Sequence, residues 1–347
     1  MADSPSSGAA VSAVTAEGEA LASDPRLLQY VTTEAPQAGA CVPVAPGVRW
    51  ARIPLPLDLN HINVWLLDAD AGCVVVDTGI AASIGKDAWE VIEREVFSIT
   101  PLRALFITHV HPDHIGLAAW LQERHNVPLS MSEGTTNLAT LLLRGVDSIR
   151  LEHAENFSRS HGVRESAQIQ AMFRPERYAK MVSGLPRVER LVADGETLSW
   201  GASEWTALET NGHAEGHLCL FDAAHRVLIT GDQVLPTISP NIGLSWASND
   251  PNPLGSYLAS LQRLRKLPED TLVLPSHGLP FYGLQHRIDD LTHHHEEQLA
   301  SLERACAEPK AAVDVLSVLF RRELKGMHLF LALSEALAHL EYLAHAG

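Results

Sequence analysis

Apolar residues in the first half of the chain fall into short blocks separated by turn residues. Arg49 to Leu57, His61 to Leu67 and Cys73 to Val76 are rich in Val, Ile, Leu and Trp and predict three β-strands. The second and third are separated by Asp68–Gly72, a hairpin-type turn, and the third stops sharply at Asp77-Thr78-Gly79. A helical period over Lys86–Phe97 comes next, then the strand Leu102–Thr108, the helix Ile115–His125 and the short strand Val127–Met131. This β–α–β alternation predicts an α/β architecture.

From about Glu133 to Met181 the period is helical throughout, too long for an ordinary connection, and predicts a helical insertion over 133–181. Strand signals return at Val188–Val192, Thr197–Trp200, Trp205–Thr210, Leu218–Phe221 and Val227–Ile229. A helix over Leu254–Leu267 precedes a last strand, Thr271–Leu274, and three helices follow at about 284–307, 310–322 and 326–345. Residues 1–25 contain no Lys or Arg and no apolar block, so they read as a solvated tail without a secretory leader. The expected division is a disordered tail over 1–40, with regular structure from about Val48, a catalytic domain over 41–288 and a helical domain over 289–347.

Composition narrows the functional classes. Of 347 residues, 46% are hydrophobic and 20% charged, the balance of an ordinary folded domain. No run of eighteen apolar residues occurs, so no membrane partner is expected. The formal net charge of −16 repels a phosphate backbone, so nucleic acid is not the expected partner either. Cys41, Cys73, Cys219 and Cys306 stand far apart, as in a cytoplasmic chain with reduced thiols. The anomaly is 18 histidines, histidine being the commonest metal ligand.

Their placement points to chemistry. Thr108-His109, Gly212-His213, Gly231-Asp232 and Ser276-His277 all lie just beyond apolar strands, at the edge where open α/β sheets place their sites. In Thr108-His109-Val110-His111-Pro112-Asp113-His114-Ile115-Gly116, four metal-capable side chains occupy six positions on one strand-to-helix turn. His109 and His111, being alternate, can point one way, while Asp113 and His114 reach a neighbouring point. That split suits two metals about 3.5–4 Å apart.

In these motifs and their order, the chain over about 48–285 resembles the metallo-β-lactamase superfamily: Asp77 in VVVDTG, the HxHxDH block, Gly212-His213, Asp232 in ITGDQ and His277 in LPSHG. The resemblance implies an αββα sandwich, here with a helical insertion and a C-terminal helical extension. It implies one metal held by His109, His111 and His213, a second held by Asp113, His114 and His277, and Asp232 bridging them. This nitrogen- and oxygen-rich set suits two zinc ions, with iron or manganese as alternatives. Asp77 and Thr108 would support the ligand loop. His213 is the family's ligand, so His217, four residues on, would orient the loop or a neighbouring ligand, or simply begin the next strand.

The expected function is a metal-dependent hydrolase. A hydroxide between the metals would attack a small organic substrate of ester, thioester, lactone or amide type, and Asp113 would orient it and then protonate the leaving group. Alternatives are an iron-dependent redox member acting on sulfur compounds, a nuclease, or a non-catalytic binding protein. Ser239, Asn241 and Trp246, in the loop after Asp232, are expected to line the substrate pocket or to brace that loop. His293-His294-His295 reads as a solvated helix face and Trp120 as core.

Phe320–Leu324 and Glu335–Leu340 are similar to the winged-helix-like tail of some family members. Residues 291–347 carry eight acids against five bases, so the tail reads as a packing or dimerisation module. Its apolar positions, from Val313 to Leu343, exceed what two short helices can hide between themselves. They must pack on the catalytic domain or on a second copy, and a homodimer is expected.

Overall fold

The computed structural model of the chain describes residues 28–144, 148–165, 176–321 and 323–346. The first part of the expected tail, the middle of the insertion and Arg322 of the Phe320–Leu324 segment lie outside the described residues. Two seven-stranded sheets form the centre of the molecule. One contains β2 (Cys41–Ala45), β3 (Val48–Pro54), β4 (His61–Ala69), β5 (Gly72–Val76), β6 (Leu102–Phe106), β7 (Leu129–Met131) and β8 (Arg190–Leu191), in that spatial order. The other runs β1 (Gln29–Tyr30), β14 (Phe281–Tyr282), β13 (Leu272–Pro275), β12 (Val227–Gly231), β11 (His217–Asp222), β10 (Ser203–Thr210), β9 (Thr197–Trp200).

The apolar runs are unbroken because the strands are buried on both faces. In β4, Trp65 and Leu67 point between the sheets, where they join Trp50, Phe106, Trp205, Leu220 and Ile229. Its alternate residues Ile62, Val64 and Leu66 point outward into a second core with Trp89, Ile92, Leu117 and Leu121. Those four come from α1 (Ser83–Ile92), the segment after α2 (Pro112–Ile115), and α3 (Ala118–His125). The outer face of the other sheet is covered by α7 (Pro253–Leu264) and α8 (Leu284–Ala305), with Leu254, Leu261, Ile288 and Leu291 packed on Cys219, Leu228 and Val273. The insertion contributes α4 (Glu133–Leu143), α5 (Ser148–Ser160) and α6 (Glu176–Met181).

Several expectations need correction. Residues 28–40 do not all belong to a tail: Gln29 and Tyr30 pair with Tyr282 and Phe281, and β2 precedes the expected start at Val48. A two-residue strand has no period to read, and its partner lies some 250 residues away. The first helix ends in a widened turn, where Ser98 N–H donates to Glu93 O (3.1 Å). Thr108 lies beyond β6, in the loop. The helix expected over 310–322 is only a 3₁₀ turn, Ala312–Val315, continued by α9 (Leu316–Leu319).

The last helix, α10 (Met327–Ala346), settles where the apolar C-terminal face goes. Leu329, Leu333, Ala336 and Leu337 pack with Leu316, Leu319 and, from beyond α5, Val163. Ala338 packs with Tyr257 and Leu261 in the outer core of the second sheet. These positions are covered within the subunit, whereas Val318 of the same apolar pattern is exposed (40%). All four cysteines are free thiols. Among the described residues no helix is long and apolar enough to cross a membrane.

Candidate metal centre

β5, β6, β10, β12 and β13 all end at one edge of the sandwich, and their following loops bring the motif residues together. Two ligand groups form there: His109, His111, His213 and Asp232, and Asp113, His114, Asp232 and His277. Within each group the ligand atoms lie within 4.8 Å of one another. Asp232 belongs to both through different oxygens. Its Oδ2 is 3.5 Å from His213 Nε2 and 3.9 Å from His109 Nε2, whereas Oδ1 is 3.3 Å from His114 Nε2 and 3.5 Å from His277 Nε2. Of the seven residues only His111 is incompletely buried, so the centre opens to solvent past it.

Hydrogen bonds on the far side of His109, His114, His213 and His277 decide which nitrogen of each faces inward. Asp77, at the left-handed backbone position after β5 (φ 63°), accepts from Thr108 N–H (2.9 Å) and from the Thr108 hydroxyl (2.8 Å). It also accepts from His114 Nδ1–H (2.8 Å), which leaves Nε2 of His114 as the inward lone pair. The Thr108 oxygen in turn accepts from His109 Nδ1–H (3.0 Å), so His109 also presents Nε2. His213 Nδ1–H donates to Asn241 O (2.9 Å) and His277 Nδ1–H to His61 O (2.7 Å). His217 lies behind the bridging carboxylate. Its Nδ1–H donates to Thr210 Oγ1 (2.9 Å), and its Nε2 accepts Asp232 N–H (3.2 Å).

The arrangement fits bound cations. His109 Nε2 lies 2.9 Å from His111 Nδ1 and 3.3 Å from His213 Nε2, and towards His213 it faces lone pair against lone pair, which a cation relieves. The buried atoms His114 Nε2 and Asp232 Oδ1 make no hydrogen bond although they lie 3.3 Å apart. Burial, reinforced by neighbouring rings, holds His109 well below the ordinary histidine range, and burial with His213 holds His111 at about 3. These rings are therefore neutral, as ligation requires. Around His114, burial opposes charge, but Asp232, Asp77 and Asp113 outweigh it and raise the ring's pKa well above 6.5. A corner with three carboxylates thus calls for positive charge, which a divalent cation supplies.

Three supports have no signature in the sequence. Asn63 joins the two sheets at the site edge: it accepts from Trp50 Nε1 (2.9 Å) and donates to Pro275 O (2.8 Å). His61 supplies the carbonyl under His277, and its Nε2 accepts Gly278 N–H (3.1 Å). Tyr178, on α6, donates to Val110 O (2.7 Å) inside the HxHxDH loop. Only the HINVW block hinted at His61 and Asn63, and it reads as an ordinary strand.

Of the residues expected near substrate, Ser239 is buried with its hydroxyl donating to Pro240 O (3.3 Å). The side-chain amide of Asn241 is committed to α10, donating to Glu335 Oε2 (2.8 Å), and Trp246 is half-buried in the same loop. His293 is exposed and His294 half-buried, but His295 is fully buried against His339 (3.0 Å), so that helix face is not wholly solvated. Trp120 is half-buried, packed against the outer core with Lys86 and Arg124 beside its ring. A cleft lined by Arg265, Asp270, Tyr282 and His286 includes none of the seven candidate ligands and takes no part in the centre.

Comparison with known proteins agrees with this geometry. Residues 299–347 match the metallo-beta-lactamase-like C-terminal domain. The acyl-coenzyme A thioesterase MBLAC2 of Gallus gallus is 28% identical over 245 residues, 68% of this chain and 79% of that protein. The hydroxyacylglutathione hydrolase of Bdellovibrio bacteriovorus is 23% identical over 220 residues, 63% of this chain and 64% of that protein. A crystal structure of a beta-lactamase domain protein from Burkholderia ambifaria is 37% identical with a TM-score of 0.85, covering 95% of both chains. Residues 57–277, which span every candidate ligand from His109 to His277, match the metallo-beta-lactamase superfamily, and to that superfamily the chain belongs.

Proposed function

We propose that the protein is a metal-dependent hydrolase of activated acyl compounds, thioesters foremost, working with two zinc ions. The observation that carries this reading is Asp232, whose two oxygens face two separate, complete ligand groups. A donor set of imidazoles and carboxylates suits zinc, which when bound supplies a nucleophilic water at neutral pH and polarises the scissile carbonyl. His109, His111 and His213 would hold one ion, and Asp113, His114 and His277 the other. The thioester preference draws on the similarity to the Gallus gallus enzyme.

The chain's own contribution is orientation and charge. Burial works to raise Asp113, but His114 and His277 outweigh it and hold its carboxyl below the ordinary carboxylate range. Asp113 therefore stays ionised at neutral pH and acts as the acceptor that orients the attacking water. The half-buried His111 marks the side from which substrate enters, and the buried remainder of the cluster keeps bulk water from competing.

The test is hydrolysis of a panel containing an acyl-coenzyme A, an aryl thioester, a lactone, a β-lactam and a phosphodiester. Chelation should abolish thioester cleavage and two equivalents of zinc should restore it, whereas restoration by iron with oxygen uptake would favour a redox member. His111→Ala and Asp232→Ala should lose turnover while remaining folded. Full activity in either variant, or hydrolysis that survives chelation, overturns the reading.

A further inference from the structure

The chain leaves the bridging Asp232 and reaches α7 through a long loop, 233–252, without a regular element. A loop of that length holds a geometry only where it is anchored. Arg287, fully buried on α8, donates to Leu235 O (2.5 Å) and Ile238 O (2.7 Å) and fixes its beginning. Its middle is fixed by α10: Leu244 N–H donates to Ser334 O (2.9 Å), and Asn241 Nδ2 donates to Glu335 Oε2 (2.8 Å). Asn241 is also where the loop touches the metal centre, through the carbonyl that accepts His213 Nδ1–H at 2.9 Å. One residue thus faces the C-terminal helix with its side chain and a ligand with its backbone.

Resting on the two-metal reading above, we propose that Glu335 is a positioning residue of the metal centre. Its carboxylate holds the Asn241 amide, the amide sets the Asn241 carbonyl, and the carbonyl fixes the tautomer and ring orientation that aim His213 Nε2 at His109 and His111. The C-terminal extension then belongs to the ligand machinery, a role its apolar pattern alone does not reveal. Glu335 is suited to this because it is buried (4% exposed) and rigidly seated. Its neighbours Ala336 and Leu337 pack in the C-terminal core, and Ala338 packs on Tyr257. Without the carboxylate, the amide is left with Leu331 O at 3.4 Å, a poor acceptor distance. Partners behind a ligating histidine typically contribute 10–100-fold in metal affinity.

The experiment uses the full chain as wild type, Glu335→Ala, Glu335→Gln, Asn241→Ala and Leu337→Ala, the last removing apolar packing of the same helix while leaving the Asn241–Glu335 hydrogen bond in place. Zinc affinity is read by chelator competition, coordination by the visible spectrum of the cobalt-loaded protein, and stability by calorimetry. Glu335→Ala should weaken one of the two equivalents by about 10–100-fold and alter the cobalt spectrum. Glu335→Gln, which keeps an acceptor oxygen, should restore most of both. Leu337→Ala should lower the melting temperature with the spectrum unchanged. If Glu335→Ala does not fold, Asn241→Ala cuts the same link from the loop side and should reproduce the loss.

Wild-type affinity and spectrum in Glu335→Ala, or in Asn241→Ala where that variant stands in, overturns the proposal, as does an equal loss in Leu337→Ala. A wild-type protein that binds neither zinc nor cobalt overturns the metal-centre reading itself, a distinct outcome.

Discussion

Replacing Asp77 by Asn changes one atom and should disable one of the two ligand groups. The backbone tolerates the change, because Asn accepts the left-handed conformation at φ 63° as readily as Asp. What is lost is an acceptor. Oδ1 receives Thr108 N–H at 2.9 Å, while Oδ2 receives both the Thr108 hydroxyl and His114 Nδ1–H at 2.8 Å. An amide keeps its oxygen on the Thr108 N–H and presents N–H groups where Oδ2 stood. His114 can meet that donor only with a lone pair on Nδ1, so its proton moves to Nε2. Nε2 then donates to Asp232 Oδ1, 3.3 Å away, and has no lone pair for a cation. His109 keeps its tautomer, because the Thr108 oxygen retains a lone pair for His109 Nδ1–H.

The expected losses are therefore unequal. Trading a charge-assisted hydrogen bond for a neutral one costs about 1–2 kcal/mol of stability. Affinity of the His114 group should fall about 10–100-fold, or roughly 1.4–2.8 kcal/mol, while the His109 group changes little. Chelator competition resolves the two equivalents, and calorimetry of the metal-free protein gives the stability change. Two equivalents bound with wild-type affinity by Asp77→Asn would refute the tautomer argument, and equal weakening of both would refute the assignment of separate supports.

Three further outcomes follow from the packing and the buried charges. Gly116→Ala places a methyl against Pro112 O and at 2.7 Å from Gly79 O, backbone atoms that cannot yield, so it should destabilise by about 3 kcal/mol or more and loosen metal binding; an unchanged melting temperature refutes it. Asn63→Leu strands the indole N–H of Trp50 and the Pro275 carbonyl between the sheets and should cost about 2–4 kcal/mol in urea unfolding, a cost below 1 kcal/mol counting against the cross-sheet clamp. Burial holds His339 at about 4 against 6.5 when free, so the unfolded chain takes up a proton first as the pH falls. Stability should therefore drop through the interval from 6.5 to about 4, by roughly 3 kcal/mol in all for this group. His339→Asn should unfold with a shallower pH dependence over that interval, and an unaltered slope refutes the assignment.

The candidate ligand set was legible in the linear sequence because its donors stand in compact motifs that the superfamily resemblance identifies. Four donors in six residues on one turn cannot serve an ordinary core, and the other three each follow an apolar strand. The sandwich was legible for a similar reason: strands buried on both faces, such as Gly72–Val76, appear as unbroken apolar runs. Edge strands were not, since Gln29–Tyr30 and Phe281–Tyr282 are too short to show a period.

What only the tertiary structure decided is which atoms face which. A histidine in a motif offers two nitrogens, and the choice is made by acceptors from distant segments: Asp77 for His114, the Asn241 carbonyl for His213, the His61 carbonyl for His277. The division of Asp232 between two groups likewise depends on loops from both sheets meeting at one edge. The covering of the C-terminal apolar face also lay beyond the sequence, because hydrophobicity states that a surface must be buried without naming its partner. Residue type and local spacing therefore marked the candidate donors of the site. The orientation of His114, His213 and His277 depends on contacts between residues tens to hundreds of positions apart, which only the folded chain brings together.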